Sequence, residues 1–317
     1  MSKHYQAVVL GAGPAGLTAG IYLARARVKT LIIDEGIPGG QMVMSYAVAN
    51  YPGVWETSGA EIARTMVKQA KSFGAEVLSQ THITGLELTA DIKRIETEDE
   101  GTFTADAVIL AAGGVPRTLN VPGEERFKGH GISYCATCDG DFFTGKEIVA
   151  VGGGNSALEE AVSLARFASK VTVIHEFDRF QAQPWAVAEA EAEPKIHFLM
   201  NQQIQGFEGA DRLEKVVTVD KGSGARLEIP VDGAFVFIGY RPNTEYLKGV
   251  TALNERGEIL TDDNLAADVS GVFAAGDARA KRYRQITTAV ADGTVAALAA
   301  VDYIRAHAKT ASSDAAA

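Results

Sequence analysis

Short apolar blocks recur along this chain, and several of them end in glycine. Ala7-Val8-Val9-Leu10 reads as a strand and runs into Gly11-Ala12-Gly13-Pro14-Ala15-Gly16. Leu17, Ile21 and Ala24 then fall on one face at helical spacing. Thr30-Leu31-Ile32-Ile33 is a second strand, closed by Asp34-Glu35. Strand, glycine turn, helix, strand and acid in this order, with the acid about twenty positions past the glycines, is the dinucleotide fingerprint in its required context.

The same pattern returns later. Glu147-Ile148-Val149-Ala150-Val151 is a strand, Gly152-Gly153-Gly154-Asn155-Ser156-Ala157 a turn, and Leu158, Ala161, Leu164, Ala165 and Ala168 recur at helical spacing before the strand Lys170 to Ile174. Two further runs look paired as well: Ala107 to Ala112 ending at Gly113-Gly114, and Ala234 to Ile238 followed by Gly239-Tyr240-Arg241-Pro242-Asn243. A last apolar run, Gly271-Val272-Phe273-Ala274-Ala275, leads into Gly276-Asp277. The duplication predicts an α/β chain of two Rossmann-like, three-layer dinucleotide-binding domains, the second inserted in the first. Residues 1–115 and 246–317 would form one domain and 116–245 the other. Arg117 to Pro122 and Arg241 to Tyr246 would be the connections, where Pro116, Pro122 and Pro242 suit a crossing.

Composition narrows the class. The chain has 317 residues, enough for two cores, with 46 % apolar and 22 % charged residues and a net charge of −10. An acidic balance argues against a broad nucleic-acid surface. No apolar stretch reaches the ~18–20 residues of a membrane span. The start, Met1-Ser2-Lys3-His4-Tyr5, carries no signal-peptide pattern, and two cysteines in a chain of this size point to a reducing, cytoplasmic setting. Lys309 to Ala317 is small and polar and is expected to fray.

The two cysteines carry the candidate chemistry. They sit three apart, Cys135-Ala136-Thr137-Cys138, with Asp139 directly after, between the two glycine turns. Dithiol–disulfide exchange needs an attacking thiolate and a second thiol to resolve the mixed disulfide. This spacing brings both sulfurs within reach when the first starts a helix, and a helix N-terminus lowers a thiol pKa. Half a zinc site is the competing reading, but no Cys or His pair with suitable spacing completes it, and no metal site is expected. Asp139 either caps a helix or handles a proton. The six histidines form no convincing triad; His130 reads as surface, and Ser156 lies in a glycine turn. Glu159 and Glu160 stand in the first turn of a helix, where anions are favoured. At the first turn, Gly11 permits the bend, Gly13 lets backbone approach a pyrophosphate, and Gly16 allows close helix–strand packing, while Asp34-Glu35 offers carboxylates to ribose.

Gly11 to Gly16, Gly39-Gly40-Gln41, Asn50-Tyr51-Pro52-Gly53, Cys135 to Asp139, Gly152 to Ala157, and Ala275-Gly276-Asp277 with Arg284-Gln285 together resemble low-molecular-weight thioredoxin reductase, in order and over essentially the whole chain. The Cys-Ala-Thr-Cys-Asp segment in the second domain is specific to that family; larger relatives such as glutathione reductase carry the pair in the first. The resemblance implies FAD on the first domain. Pro14 and Ala15 of the turn, Gly39, Gly40, Gln41, Asn50 and Gly113 would line it, Gly276 and Asp277 would hold the ribityl–pyrophosphate side, and Arg284, Gln285 and Ile286 would approach the isoalloxazine. Gly152, Gly154, Asn155, Ser156, His175 and Glu176 would form the pyridine-nucleotide site. It also implies that Cys138 faces the flavin, that Cys135 attacks a thioredoxin-like partner, that Asp139 transfers the proton, that the protein is a homodimer, and that a hinge at the crossings lets the domains rotate.

One segment departs from the family. NADPH-using members end the strand after the second glycine turn with His-Arg-Arg and a further Arg nearby, which clamp the 2′-phosphate. Here the segment reads His175-Glu176-Phe177-Asp178-Arg179-Phe180-Gln181. A carboxylate beside a 2′-phosphate is repulsive, which favours NADH over NADPH. The alternative is another donor, such as ferredoxin, with Arg279, Lys281, Arg282 and Arg284 either docking an acidic carrier or forming a solvated turn. A small-dithiol oxidase and a flavin-bound redox sensor on the same scaffold complete the alternatives.

Overall fold

The apolar run Ala7 to Leu10 becomes the second half of strand Lys3–Leu10, at the middle of a seven-stranded sheet. In the computed structural model, which describes residues 3–45, 48–55 and 57–314, this strand pairs in parallel with Thr30–Ile33 on one side and Thr102–Leu110 on the other. Glu76–Leu78 extends the parallel set. The far edge of Thr102–Leu110 is shared. Residues 102–105 pair antiparallel with Lys93–Thr97, itself in a hairpin with Ile83–Glu87, and residues 108–110 pair in parallel with the late strand Val272–Ala274. The carboxyl ends of three parallel strands, Leu10, Leu110 and Ala274, therefore lie at one end of the sheet. The segments that follow them, Gly11 to Gly16, Ala111 to Gly113, and Gly276-Asp277, gather there. This is where an open α/β sheet binds its ligand.

Alternation along the strand sorts side chains into layers. Ala7 and Val9 join a core with Leu17 and Leu23 of helix Pro14–Arg25, Ile62 and Met66 of helix Gly59–Ser72, and Ala296 and Ala300 of helix Ile286–Asp314. Val8 and Leu10 face the opposite side, with Leu88, Ile95, Leu247 and Ile259. Helix Gly59–Ser72 carries its own start signal: Ser58 Oγ accepts the N–H of Glu61, with an acidic residue in the first turn.

Residues 116–240 form the second compact unit, and the first comprises residues 1–115 with 241–317. The return connection lies at Tyr240–Arg241, ahead of the 245/246 position read from the sequence. The second unit repeats the plan. Its five-stranded parallel sheet runs Ile196–Leu199, Lys170–Ile174, Glu147–Val151, Gly233–Val236, Ile132–Ser133. Ile148 and Ala150 meet Leu158, Ala161 and Leu164 of helix Asn155–Ala165. Val149 and Val151 meet Ile204, Phe207 and Val216 of an antiparallel three-stranded sheet, Gln202–Glu208, Lys215–Asp220 and Arg226–Pro230. Both units are α/β with a central parallel sheet between two covering layers, as the duplicated sequence pattern predicts.

The C-terminal tail differs from expectation. The helix begun at Ile286 runs to Asp314, although Thr310, Ser312, Ser313 and Asp314 are weak helix formers. Residues 315–317 of that tail lie outside the described residues. Among the described residues, no helix is long and apolar enough to cross a membrane.

Candidate active site

The redox turn starts from the edge strand Ile132–Ser133 of the second unit. Cys135 is extended (φ −145°, ψ 103°) and caps the single helical turn Ala136–Asp139, which passes into the 3-10 turn Gly140–Phe143. Buried Ala136 anchors the turn in the core beside Leu158 and Leu164. An extended residue followed by one helical turn brings the two Cα atoms to 5.3 Å, within disulfide range, and Cys135 and Cys138 are bonded. The helix that the first cysteine starts is a single turn. The specific group acting on the first sulfur is the Cys138 N–H, which donates to Cys135 Sγ at 3.2 Å.

Asp139 is half-buried, and that burial pushes its carboxyl above the usual carboxylate range. Ser133 Oγ opposes that shift by donating to Asp139 Oδ2 at 2.6 Å, and the Asp141 charge adds to it. Ser133 Oγ also accepts the Cys135 N–H at 3.1 Å. Just ahead, Tyr134 OH donates to Glu124 Oε1 at 2.9 Å. Glu124 is 3 % exposed and accepts the N–H groups of Leu119 and Asn120 at 3.0 and 2.7 Å, so one carboxylate ties the first crossing to the redox segment.

At the first glycine turn the roles divide. Gly11 has φ +106°, and a Cβ on Gly16 would stand 1.8 Å from Gly11 O, so both are glycine for the protein's own packing. Gly13 is different: a Cβ there would meet only Gly40 Cα, at 4.0 Å. Gly13 starts helix Pro14–Arg25 without a side-chain cap, leaving its first N–H groups for an anion. Asp34 braces the turn, its Oδ2 accepting the Ala12 N–H at 2.5 Å and Oδ1 the Gly36 N–H at 2.8 Å. Glu35 is exposed, 3.2 Å from His82 Nδ1. Gly40 has φ +57° and opens the 3-10 turn Gly40–Met44, which holds Gln41 at the surface. Asn50 Nδ2 lies 3.5 Å from Gln285 Oε1, so two residues 235 apart in sequence meet. Gly113 has open space where a Cβ would stand. Asp277 follows Gly276 at the sheet's carboxyl end. Its Oδ1 is buried with no hydrogen-bond partner, with Lys281 Nζ 3.9 Å away, and burial pushes its carboxyl up. A buried carboxylate oxygen without a donor, uncapped helix N–H groups and a glycine facing open space fit a polyhydroxylated dinucleotide such as FAD.

At the second turn, Gly152 has φ +140°, and a Cβ on Gly153 would sit 2.3–2.5 Å from the His175 ring. His175 is buried, with Nε2 3.2 Å from Arg179 O, stacked on Phe180 and edge-on to Phe177. Burial holds it below the ordinary imidazole range, hence neutral. It shapes the turn and supplies no cation for phosphate. Gly154 starts helix Asn155–Ala165 without a side-chain cap, and its Cβ position is open. Asn155 Oδ1 accepts the Gln183 N–H at 2.7 Å, and Ser156 is exposed in that first turn. Glu176 is half exposed at its strand end, with Lys221 Nζ 3.6 Å away.

A sequence profile of the pyridine nucleotide-disulphide oxidoreductases matches residues 5–293. The chain belongs to that family. Among related pyridine nucleotide-disulphide oxidoreductases, the thioredoxin reductase of Peptoclostridium acidaminophilum is 43 % identical over 97 % of this chain and 99 % of that protein. Thioredoxin reductase of Bacillus subtilis is also 43 % identical, over 95 % of each. The crystal structure of thioredoxin reductase from Streptococcus pyogenes superposes with a TM-score of 0.92 at 37 % identity, covering 96 % of this chain and all of that one.

Within this pyridine nucleotide-disulphide oxidoreductase, the basic run Arg279 to Arg284 is largely not a free surface patch. Arg279 and Lys281 pair with Asp292 at 3.5 and 2.8 Å, and Lys281 is almost fully buried. Arg284 pairs with buried Glu258, whose other oxygen accepts from Asn254 Nδ2 at 2.7 Å. The docking reading of this cluster is corrected accordingly: three of its four cations neutralise carboxylates of their own unit. Ile286 begins the helix that follows. Ser133, Lys221, Glu258 and Asp292 were not anticipated, because each meets its partner through the fold and stands in no motif. Replacing Glu258 by alanine leaves the Arg284 guanidinium without its carboxylate. It is expected to cost about 3 kcal/mol, read as an earlier urea midpoint, with Glu258→Gln intermediate.

Proposed function

We propose that this chain is a flavoprotein thioredoxin reductase that takes electrons from NADH in preference to NADPH and delivers them through Cys135 and Cys138 to the disulfide of a thioredoxin-like protein. The observation that carries the reading is the bonded pair formed by the chain's two cysteines on a turn with a half-buried carboxyl and a hydroxyl beside it. FAD, when bound, supplies the relay of electron pairs between the nicotinamide and the disulfide. The chain's own part at that site would be to receive the pyrophosphate on the Gly13 helix terminus, the ribityl hydroxyls on Asp277, and the flavin edge with Asn50, Arg284 and Gln285. Asp34 accepts two N–H groups of the turn and Glu35 one from Ile83, and both carboxylates keep acceptor sites for a ribose. The sparse cysteines support a reducing, cytoplasmic setting, and the family resemblance supports a homodimer.

The donor preference rests on Glu176. An exposed carboxylate at the end of the second strand accepts hydrogen bonds from the two hydroxyls of an unphosphorylated ribose and repels a 2′-phosphate; Lys221 Nζ at 3.6 Å offsets part of that repulsion, and neutral His175 adds nothing to it. Anaerobic titration of the holoenzyme with each nucleotide tests this. NADH is expected to bleach the flavin at concentrations where NADPH does not, and thioredoxin added afterwards is expected to be reduced. Equal bleaching by NADPH would reject the preference, and bleaching by neither would reject a nicotinamide donor altogether. Glu176→Arg exchanges the repulsion for a guanidinium–phosphate pair and is expected to move the NADH-to-NADPH ratio of binding constants by about 10–100-fold toward NADPH.

A further inference from the structure

We propose that Ser133 is a positioning residue for the proton step at Asp139: its hydroxyl donates to Asp139 Oδ2 at 2.6 Å while accepting the Cys135 N–H at 3.1 Å, tying the proton-bearing carboxyl to the backbone of the reactive cysteine. The inference rests on the pair being redox-active, as proposed above. Ser133 is 7 % exposed and ends the edge strand whose partner is Gly233–Val236, so its side chain is fixed by the sheet. A hydroxyl has one proton to give. Of its two acceptors, Asp139 Oδ2 at 2.6 Å and Cys135 O at 3.4 Å, the carboxylate is the closer. With Oδ2 so occupied, Oδ1 is left to carry the transferable proton.

The step balances as follows. A reducing dithiol attacks one sulfur of the Cys135–Cys138 bond to form a mixed disulfide, and its second thiol then closes the dithiol's own disulfide and frees that sulfur as a thiol, two electrons and two protons passing in all. One protein sulfur leaves as thiolate. The Asp139 carboxyl protonates it, becomes carboxylate, and is reprotonated from solvent. A donor aimed at the carboxylate favours the ionised form, so Ser133 sets the pH at which Asp139 stops being an acid. Its effect is opposed by burial and by Asp141, the charged group acting on Asp139 among the described residues. Helix Asn155–Ala165 and the turn after it meet this segment with apolar Leu164 and Phe167.

The test opens the disulfide of the holoenzyme with dithiothreitol under anaerobic conditions across a pH series, counting thiols by alkylation together with flavin bleaching. Rates are divided by the thiolate fraction of the reagent. Wild type is expected to lose rate as Asp139 deprotonates, and Asp139→Asn to show no such fall. In Ser133→Ala the fall is expected about half to one pH unit higher, the worth of one hydrogen bond, and in Ser133→Thr it is expected to return to the wild-type position. Thermal melts of each variant confirm folding. Superimposed wild-type and Ser133→Ala profiles would overturn the proposal, as would a threonine variant that shifts with alanine or an unchanged fall in Asp139→Asn. Neither thioredoxin nor a nicotinamide enters this assay, so a failure of the broader function shows separately, in the turnover measurement.

Discussion

Cys138→Ser is expected to lower thioredoxin reduction by about a thousand-fold or more while leaving flavin bleaching by the nucleotide donor intact. With one sulfur gone, Cys135 can still attack a partner's disulfide, forming one S–S bond and releasing one thiol. It then has no neighbour to resolve the mixed disulfide, and the chain's two cysteines offer no substitute. The variant should therefore accumulate a covalent complex with thioredoxin, visible on a non-reducing gel and dissolved by reductant. Loss of stability does not explain such a result. A bridge spanning three positions closes a very short loop, worth only about 2 kcal/mol of chain entropy. The turn also keeps its anchor at buried Ala136. Cys135→Ser should abolish turnover equally without the trapped complex. Turnover within tenfold of wild type in either variant would remove the pair from the electron path.

Local order made much of this legible in the sequence. A glycine turn must follow a strand and start a helix, so Gly11 to Gly16 and Gly152 to Ala157 announce two parallel-sheet units before any coordinates are seen. The cysteine pair is legible for the same reason, since its whole geometry fits within Cys135 to Asp139. What was hidden depends on distance. The hairpin Ile83–Glu87 with Lys93–Thr97 stands in no motif, and its pairing onto Thr102–Leu110 is set by the fold. Lys281 and Arg279 look like a solvent-facing charge run until Asp292 arrives from the C-terminal helix to neutralise them. Ser133 precedes the first cysteine by two residues and resembles any strand serine. Only the turn that folds Asp139 back onto it reveals a partner.

Gly16→Ala and Gly13→Ala are expected to part company, although both change one glycine of the same turn. The Gly16 Cβ would lie 1.8 Å from Gly11 O and 3.2 Å from Val9 Cγ1. The first of these is backbone in a residue already at φ +106°, whose own far side is closed by Ala111 O 2.3 Å from its Cβ position. Nothing there can rotate away, so the start of helix Pro14–Arg25 must move, at a cost of about 3 kcal/mol or more. FAD retention should fall with it, because the N–H groups of that helix no longer point where a pyrophosphate would lie. Gly13 has φ −71°, which alanine adopts freely, and its Cβ would only touch Gly40 Cα at an ordinary 4.0 Å. Gly13→Ala apoprotein should thus melt as wild type does. Yet its methyl group would stand where the pyrophosphate approaches the backbone, and FAD binding should weaken by about a hundredfold. Stability and cofactor affinity are lost together in one variant and separately in the other. Normal flavin retention by Gly13→Ala would mean that the phosphate does not sit on this turn.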